Sequence, residues 1–209
     1  MKVYLIRHGM TKGNKEGRYV GHTDEELSKE GKDKLTTPFP YSSPQIIYAS
    51  PLKRCLMTAE ILYPNVPIRM TEDLKECDFG EFEYKNYSEL NGNPDYQRFI
   101  DEGGECGFPG GEDKSTFCRR ICKAFVEVME EAVRKNYEEI AFVVHGGTIM
   151  AILETFGIPK SSYYSWQVSN GKGFLAECDI QAWRDGDRRL VVHRSESNES
   201  NEGNEGYGG

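Results

Sequence analysis

Two stretches of the sequence decide the fold: residues 2–9 read KVYLIRHG, and residues 139–147 read EIAFVVHGG. Each begins as a short run of apolar, β-branched and aromatic residues, which is typical of a strand buried in a sheet. Each run ends at a histidine followed by glycine. Because ligands of open α/β sheets bind beyond the carboxyl ends of the strands, the two motifs predict that His8 and His145 converge there.

Around these two stretches, strand and helix patterns alternate along the chain. IIYAS at 46–50 predicts a second strand, and PLKRCLMTAEILYP at 51–64 predicts a helix directly after it. The longest predicted helix covers about residues 112–135, where apolar residues recur every three to four positions. The segments 171–180 and 188–194 predict a closing pair of strands. This order indicates an α/β fold, a three-layer α/β/α sandwich with a mainly parallel sheet.

The length of 209 residues fits one domain, to which we assign residues 1–194. Residues 195–209 repeat Ser, Asn, Glu and Gly without apolar side chains to bury, so they predict an acidic disordered tail. Half of the net charge of −8 belongs to the four glutamates of this tail.

Composition excludes several classes of partner. The net charge of −8 repels nucleic acid and anionic membranes, and no apolar run approaches the roughly 20 residues that cross a bilayer. The N-terminus lacks the apolar core of a signal peptide, so we expect a cytoplasmic protein. The six cysteines form no CxxC pair, and no P-loop, GxGxxG or metal-ligand spacing occurs. We therefore expect no metal, no cofactor and no nucleic acid, while the oligomeric state stays open.

Two arginines accompany the histidines at the predicted site. Arg7 precedes His8 at the end of the first strand, and Arg54 falls in the first turn of the helix after the second strand. A single histidine after a strand is more often structural than catalytic, and either arginine alone is compatible with a surface charge. Two histidines and two arginines together at the carboxyl ends of strands suit a dianionic phosphate group.

Five motifs in this sequence resemble the histidine phosphatase superfamily, which includes phosphoglycerate mutases, α-ribazole phosphatases and broad-specificity phosphatases. The motifs keep the family's order and spacing over about residues 2–156, which makes the resemblance far more specific than RHG alone. They read LIRHGMTKGN (5–14), GRYVGHTDEELSKEG (17–31), YASPLKRCLMTAEIL (48–62), LKECDFGEFE (74–83) and VVHGGTIMAIL (143–153). The resemblance implies a phosphoglycerate mutase-like fold.

The resemblance also implies the roles of five residues. His8 matches the nucleophile that is transiently phosphorylated, and Glu76 matches the proton donor. Arg7, Arg54 and His145 match the paired arginines and the second histidine that hold the phosphoryl group. Charged donors around the transferring group and a covalent intermediate suit phosphate ester hydrolysis, which is very slow without a catalyst.

Four further residues are assigned to substrate binding. Asn14 matches the loop asparagine of the family. The other three residues belong to the same motifs: Gly21, His22 and Gly146. Glu81 and Glu83 compete with Glu76 for the acid role, but their position after Gly80 indicates a supporting or structural part.

One departure from the family pattern concerns the acid motif. Family members commonly place glycine after its last acidic residue, whereas Tyr84 follows Glu83 here. We therefore expect a different local turn, which affects the geometry of the acid motif and leaves the reaction class unchanged.

The predicted function is a metal-independent phosphoric monoester hydrolase acting on a small molecule. The motifs look most like α-ribazole 5'-phosphate phosphatases of cobalamin biosynthesis, while broad-specificity phosphatases share most of them. Alternatives are mutase-type phosphoryl transfer and a non-catalytic phosphate-binding domain. The short glycine-rich stretch 101–111 favours hydrolysis, because mutases of the family tend to carry a longer lid. Loop aromatics either stack on a flat base or form local core: Tyr19, Phe79, Phe82, Tyr84 and Tyr87.

Overall fold

A seven-stranded sheet forms the centre of the computed structural model, which describes residues 1–35, 44–104 and 106–193. Its strands are β1 (Lys2–Arg7), β2 (Ile46–Ala49), β3 (Ile68–Met70), β4 (Glu139–Val144), β5 (Gly157–Ile158), β6 (Gly173–Glu177) and β7 (Leu190–His193). The strand order is β3-β2-β4-β1-β6-β7-β5. Strands β1 to β4 pair in parallel, and β6 is antiparallel to both β1 and β7. The mainly parallel sheet is confirmed.

The described helices lie mostly between these strands in the chain. They are α1 (Lys12–Lys15), α2 (Lys29–Lys34), α3 (Lys53–Leu62), α4 (Tyr87–Leu90), α5 (Pro94–Asp101), α6 (Lys114–Arg134), α7 (Gly146–Phe156) and α8 (Ile180–Arg184). Short 3-10 turns occupy Glu72–Leu74, Gly80–Phe82 and Tyr163–Trp166. None of the helices in the described part of the chain combines the length and apolar character needed to span a membrane. The predicted tail at 195–209 lies outside the described residues.

The sheet separates two apolar cores. Along β1, Val3 and Leu5 face the core that α6 and α7 complete, whereas Tyr4 and Ile6 face the core that α3 completes. Side chains of a strand alternate between the two faces, so a strand buried on both sides reads as one continuous apolar run. Helices therefore cover both faces, and the three-layer α/β/α sandwich is confirmed.

The buried face of α3 differs from the apolar stripe that the sequence predicts. That stripe runs through Leu52, Leu56, Ala59 and Leu62, but the residues buried within the helix are Arg54, Cys55, Thr58 and Ala59. The polar groups of Arg54 and Thr58 are hydrogen-bonded inside the protein, which offsets the cost of burying them. An interpretation based on hydrophobicity alone therefore predicts burial of a face that lies next to the face that is in fact buried.

The chain between the two closing strands holds an element that the pattern did not predict. The strand expected over 171–180 ends at Glu177, because Asp179 then caps α8 by accepting hydrogen bonds from the amides of Gln181 and Ala182. The capped start of α8 therefore lies within the segment that the pattern assigned to the strand.

Candidate active site

The two histidines that follow strands lie side by side. Strands β1 and β4 are parallel neighbours in which Arg7 pairs with Val144, so the next residue of each strand is a histidine. The rings of His8 and His145 stand edge to face with centroids 5.2 Å apart, and the two side chains are buried. The predicted convergence of the two strand ends is what the structure shows.

His8 is held in one tautomer by its own loop. Its Nδ1 lies 2.7 Å from the carbonyl oxygen of Gly9. Because a carbonyl oxygen only accepts, Nδ1 carries the hydrogen, and in the neutral ring Nε2 then keeps its lone pair. Burial, followed by the positive charges of Arg54 and Arg7, holds the pKa of His8 well below its ordinary value of 6.5. At neutral pH the ring is an uncharged imidazole with an available nitrogen.

Arg54 points from the first turn of α3 into the interior and is fully buried. Its Nη1 donates to the carbonyl of Thr23 at 2.7 Å, and its Nη2 donates to the carbonyls of Gly21 at 2.6 Å and Val20 at 3.3 Å. Its buried Nε has no hydrogen-bond partner within the described residues. A buried guanidinium bound only to neutral carbonyls is an unbalanced positive charge that favours an anion.

Arg7, the residue before His8, provides a second cation. Its Nη1 donates to the carbonyl of Val168 at 2.7 Å, and its Nε also lacks a partner in the part of the chain that the structure describes. Gly146 packs against it, since a Cβ on Gly146 would lie 3.4 Å from the guanidinium carbon of Arg7. Two guanidiniums with unpartnered Nε atoms, one fully buried and one half-buried, thus lower the pKa of the same imidazole.

Glu76 is buried at the N-terminus of α7. Its Oε2 accepts a hydrogen bond from the amide of Gly147, and its Oε1 accepts one from the amide of Cys77, both at 3.0 Å. Burial raises the pKa of Glu76 above 4.5, although these amides and the charges of Arg54 and Arg7 oppose the shift. A Cβ on Gly147 would stand 2.3 Å from Oε1, so only glycine leaves room for the carboxyl group.

His145 lies between β4 and α7, where it takes the position just before the helix begins. Its Nε2 is 2.8 Å from the hydroxyl oxygen of Ser50 and 3.6 Å from the sulfur of Cys55. Burial, and after it the charge of Arg54, holds the pKa of His145 well below 6.5. This ring is therefore neutral and oriented by a hydroxyl group at the end of β2.

Asn14 is oriented by a residue that the sequence patterns did not indicate. Its Oδ1 accepts hydrogen bonds from the amide of Thr11 at 3.2 Å and from Nδ2 of Asn170 at 3.1 Å. The same Asn170 donates to the carbonyl of His8 at 3.2 Å. With its oxygen occupied, Asn14 can donate only through its amide hydrogens, and its predicted contact with substrate stays a prediction. The only sequence signal for Asn170 is the Asn-Gly turn before β6.

Gly21 and His22 lie beside the site in different ways. Gly21 donates its amide to Oε1 of Glu83 at 2.8 Å and offers its carbonyl to Arg54, so both of its main-chain polar groups are engaged. His22 places Nε2 3.1 Å from the carbonyl of Glu76, and its ring is 42% exposed. The structure brings both next to the arginine and the acid, and their predicted contact with substrate stays a prediction.

An ion pair that the sequence patterns also missed fixes the segment carrying Glu76. Arg120 on α6 donates to the carbonyls of Asp73, Lys75 and Glu76 and pairs with Glu112 at 2.6 Å. Glu112 in turn accepts a hydrogen bond from the main-chain amide two residues after the acid. A periodicity analysis places Arg120 on a helix but does not show which loop it reaches.

The loop aromatics form a small core above this segment. Ring centroids of Phe79 and Phe108 are 4.8 Å apart, as are those of Phe99 and Phe108, and Phe82 is fully buried. Tyr87, by contrast, is 70% exposed. Of the two interpretations of these aromatics, the packing of the rings on one another favours local core.

Comparison with known proteins identifies the class to which this fold and site belong. A family model described as histidine phosphatase superfamily (branch 1) matches residues 3–185. The chain is 28% identical to a broad-specificity phosphatase of Saccharomyces cerevisiae over 165 residues, 74% of this chain and 69% of that protein. It is 26% identical to the adenosylcobalamin/α-ribazole phosphatase of Escherichia coli over 179 residues, 82% of this chain and 87% of that protein.

A solved structure agrees at the level of the fold. The α-ribazole phosphatase of Shigella flexneri superposes with a TM-score of 0.78 at 23% identity, covering 92% of this chain and 95% of that one. The chain belongs to the histidine phosphatase superfamily. It is accordingly an enzyme of the phosphatase type, as its named relatives are.

Proposed function

We propose that the protein hydrolyses small phosphate monoesters in two steps, with His8 as the nucleophile. One observation carries this proposal: the His8 imidazole has its Nδ1 engaged by Gly9, and its pKa is lowered by the charges of Arg54 and Arg7, two guanidiniums whose Nε atoms have no partner among the described residues. A phosphate dianion at this position would neutralise the two cations while its phosphorus faces the nitrogen lone pair.

In the first step, Nε2 of His8 attacks phosphorus and the bond between phosphorus and the ester oxygen breaks. The leaving oxygen takes a proton from the carboxyl group of Glu76, whose raised pKa favours the protonated form that this step needs. Arg7 and Arg54 stabilise the charge on the phosphoryl oxygens, and Asn14 and His145 complete their binding. The product is an alcohol and a phosphorylated His8.

In the second step, the Glu76 carboxylate accepts a proton from water as the water oxygen attacks phosphorus. The bond between Nε2 and phosphorus breaks, and its electron pair returns to the imidazole. Inorganic phosphate leaves, His8 is again neutral, and Glu76 is again protonated. The two steps therefore restore every group of the site.

We propose α-ribazole 5'-phosphate as the first candidate substrate within this class. The support is the sequence similarity to the phosphatase of Escherichia coli whose name includes α-ribazole. The similarity to a broad-specificity phosphatase makes a wider range of esters the second expectation. The cytoplasmic location expected from the N-terminus stays a prediction, which fractionation of cells expressing the chain would test.

The test is phosphate release from a panel of monoesters, including α-ribazole 5'-phosphate and 3-phosphoglycerate, with EDTA present throughout. We expect wild-type activity to survive EDTA and to vanish in His8→Ala. His193→Ala is the matched control, since His193 lies at the end of β7 with an exposed side chain. Conversion of 3-phosphoglycerate without phosphate release would instead indicate a mutase, and loss of activity in EDTA would overturn the metal-independent mechanism.

A further inference from the structure

We propose that Glu83 is a positioning residue that holds Arg54 in its phosphate-binding orientation through the main chain of residues 20–23. The inference rests on the proposed function, because it assigns Arg54 to phosphate binding. Glu83 itself does not need to touch the substrate. It acts through a loop that it binds on one side and that Arg54 binds on the other.

The first link joins the carboxylate to the loop. Oε1 of Glu83 accepts hydrogen bonds from the amides of Gly21 and Thr23, both at 2.8 Å. Two amides that share one charged oxygen make strong hydrogen bonds, because the acceptor is ionised. These bonds fix the positions of two peptide groups within a three-residue stretch.

The second link joins the loop to the guanidinium. The residues that donate to Glu83 also accept from Arg54, through the carbonyls of Gly21 at 2.6 Å and Thr23 at 2.7 Å. All the hydrogen bonds that the Arg54 guanidinium makes within the described residues go to carbonyls of this loop. The orientation of the guanidinium and of its unpartnered Nε therefore depends on where Glu83 places the loop.

The loop has no room to adopt another position near Glu83. A Cβ on Gly21 would lie 2.2 Å from the carbonyl oxygen of Cys77 and 2.7 Å from Oε2 of Glu83. Gly21 is thus wedged between the acid segment and the carboxylate. Only glycine fits, and its close approach allows the hydrogen bonds of both links.

The turn after Glu83 explains how the carboxylate reaches the loop. Tyr84 has a φ of +58°, in the left-handed region where a side chain strains the backbone. Its amide donates to the carbonyl of Tyr19 at 2.8 Å, and its carbonyl accepts from Arg18 at 2.6 Å. The amide of Tyr19 donates in return to the carbonyl of Lys85 at 3.0 Å, so the two main chains are paired in both directions. This pairing brings Glu83 alongside the loop.

The side chain of Tyr84 offsets part of that strain. Its hydroxyl group donates to Oε2 of Glu25 at 3.2 Å, and the guanidinium of Arg18 lies 5.1 Å from the centre of its ring. The position that family members commonly fill with glycine thus holds a tyrosine that has its own contacts. Strained backbone next to a site is a reason to look for a positioning role.

The test compares Glu83→Ala with Glu83→Gln and with Glu81→Gln as the matched control, since Glu81 lies two residues earlier, in the 3-10 turn Gly80–Phe82, and is exposed. We expect Glu83→Ala to lower kcat/KM by about 100-fold, the loss that a displacement of about 1 Å produces. The inhibition constant of inorganic phosphate should rise in parallel. Glu83→Gln keeps an acceptor oxygen but loses the charge assistance, so it should lower kcat/KM and weaken phosphate inhibition by about three- to tenfold, less than Glu83→Ala.

The pH profile separates positioning from a general loss of structure. Because the charge of Arg54 lowers the pKa of His8, a displaced Arg54 should move the acidic limb of kcat/KM to higher pH in Glu83→Ala. Wild-type kinetics with an unchanged phosphate inhibition constant in a folded Glu83→Ala would overturn the proposal. If that variant does not fold, Glu83→Gln decides: a weaker phosphate inhibition supports the proposal, and an unchanged value contradicts it. An inactive wild type would instead contradict the proposed function.

Discussion

His8 and Glu76 share one buried site, yet burial moves their pKa values in opposite directions. Taking a group out of water disfavours its charged form, which is the protonated form of histidine and the ionised form of glutamate. The pKa of His8 is lowered and that of Glu76 is raised. One physical cause therefore favours both forms that the first step requires, a neutral nucleophile and a protonated acid.

Glu76→Gln tests the acid at the residue scale. An amide cannot donate a proton to the leaving oxygen, so phosphorylation by an alkyl ester should slow by about 10²–10⁴-fold. Phosphorylation by p-nitrophenyl phosphate should slow much less, because nitrophenolate leaves without a proton. The measurement is the burst phase in rapid-mixing experiments, with Glu81→Gln as the control. An equal loss for both esters would contradict the acid role.

Gly147→Ala tests the space around the same carboxyl group. The added Cβ would lie 2.3 Å from Oε1 of Glu76, so the carboxyl group has to move and kcat should fall by about 100-fold. Steady-state kinetics of Gly147→Ala and of the wild type check this, and equal kcat values would contradict the stated geometry.

At the scale of elements, α3 and the loop after β1 are joined by one hydroxyl group. The Oγ1 of Thr58 accepts from the amide of Gly9 at 2.9 Å and donates to the carbonyl of Arg54 at 2.6 Å. Gly9 also binds the ring of His8 through its carbonyl. The helix that carries Arg54 and the loop that carries His8 therefore hold a fixed relative position.

Thr58→Val should weaken this joint. The substitution keeps the volume of the side chain but leaves the buried amide of Gly9 without its acceptor, which costs about 1–3 kcal/mol of unfolding free energy. Thr58→Ser keeps the hydroxyl group and should lose less. Urea unfolding of both variants measures the difference. A Val variant as stable as the Ser variant would show that the hydroxyl group does not stabilise the contact between α3 and the loop after β1.

The elements also show what the sequence can and cannot predict. Apolar runs were enough to predict the two strands that end in histidine, and helical periodicity was enough to predict the longest helix. Each of these patterns depends on the burial of its own segment. The polar buried face of α3 was missed, since Arg54 and Thr58 find their partners in other segments. The same reason hides Asn170 and Arg120, whose contacts with the site join residues far apart in the chain.

At the scale of the whole molecule, the buried histidines should make stability depend on pH. His8 and His145 stay neutral in the folded state, whereas in the unfolded chain each binds a proton below about pH 6.5. Their contribution to the free energy of unfolding is complete above that pH and is lost as the pH falls toward the lowered pKa values of the folded state. Within that range, each histidine should lower the free energy of unfolding by about 1.4 kcal/mol per pH unit.

Glu76 acts in the opposite sense. Its raised pKa means that the folded state binds the proton more tightly, so its contribution grows as the pH falls from the folded pKa toward 4.5. Urea unfolding between about pH 5 and pH 7 measures the sum of these effects. His8→Asn should reduce the slope of unfolding free energy against pH by the contribution of one histidine. An unchanged slope would contradict a neutral, buried His8.

The measurement that tests the central claim most directly is the location of the phosphoryl group during turnover. Glu76→Ala should slow the attack of water, so the phosphorylated enzyme should accumulate in this variant. The variant is mixed with p-nitrophenyl phosphate, quenched in alkali, digested and analysed by mass spectrometry. The account predicts an acid-labile phosphate on the peptide that contains His8, and none in His8→Ala. Phosphate on another residue, or hydrolysis by His8→Ala at the wild-type rate, would contradict it.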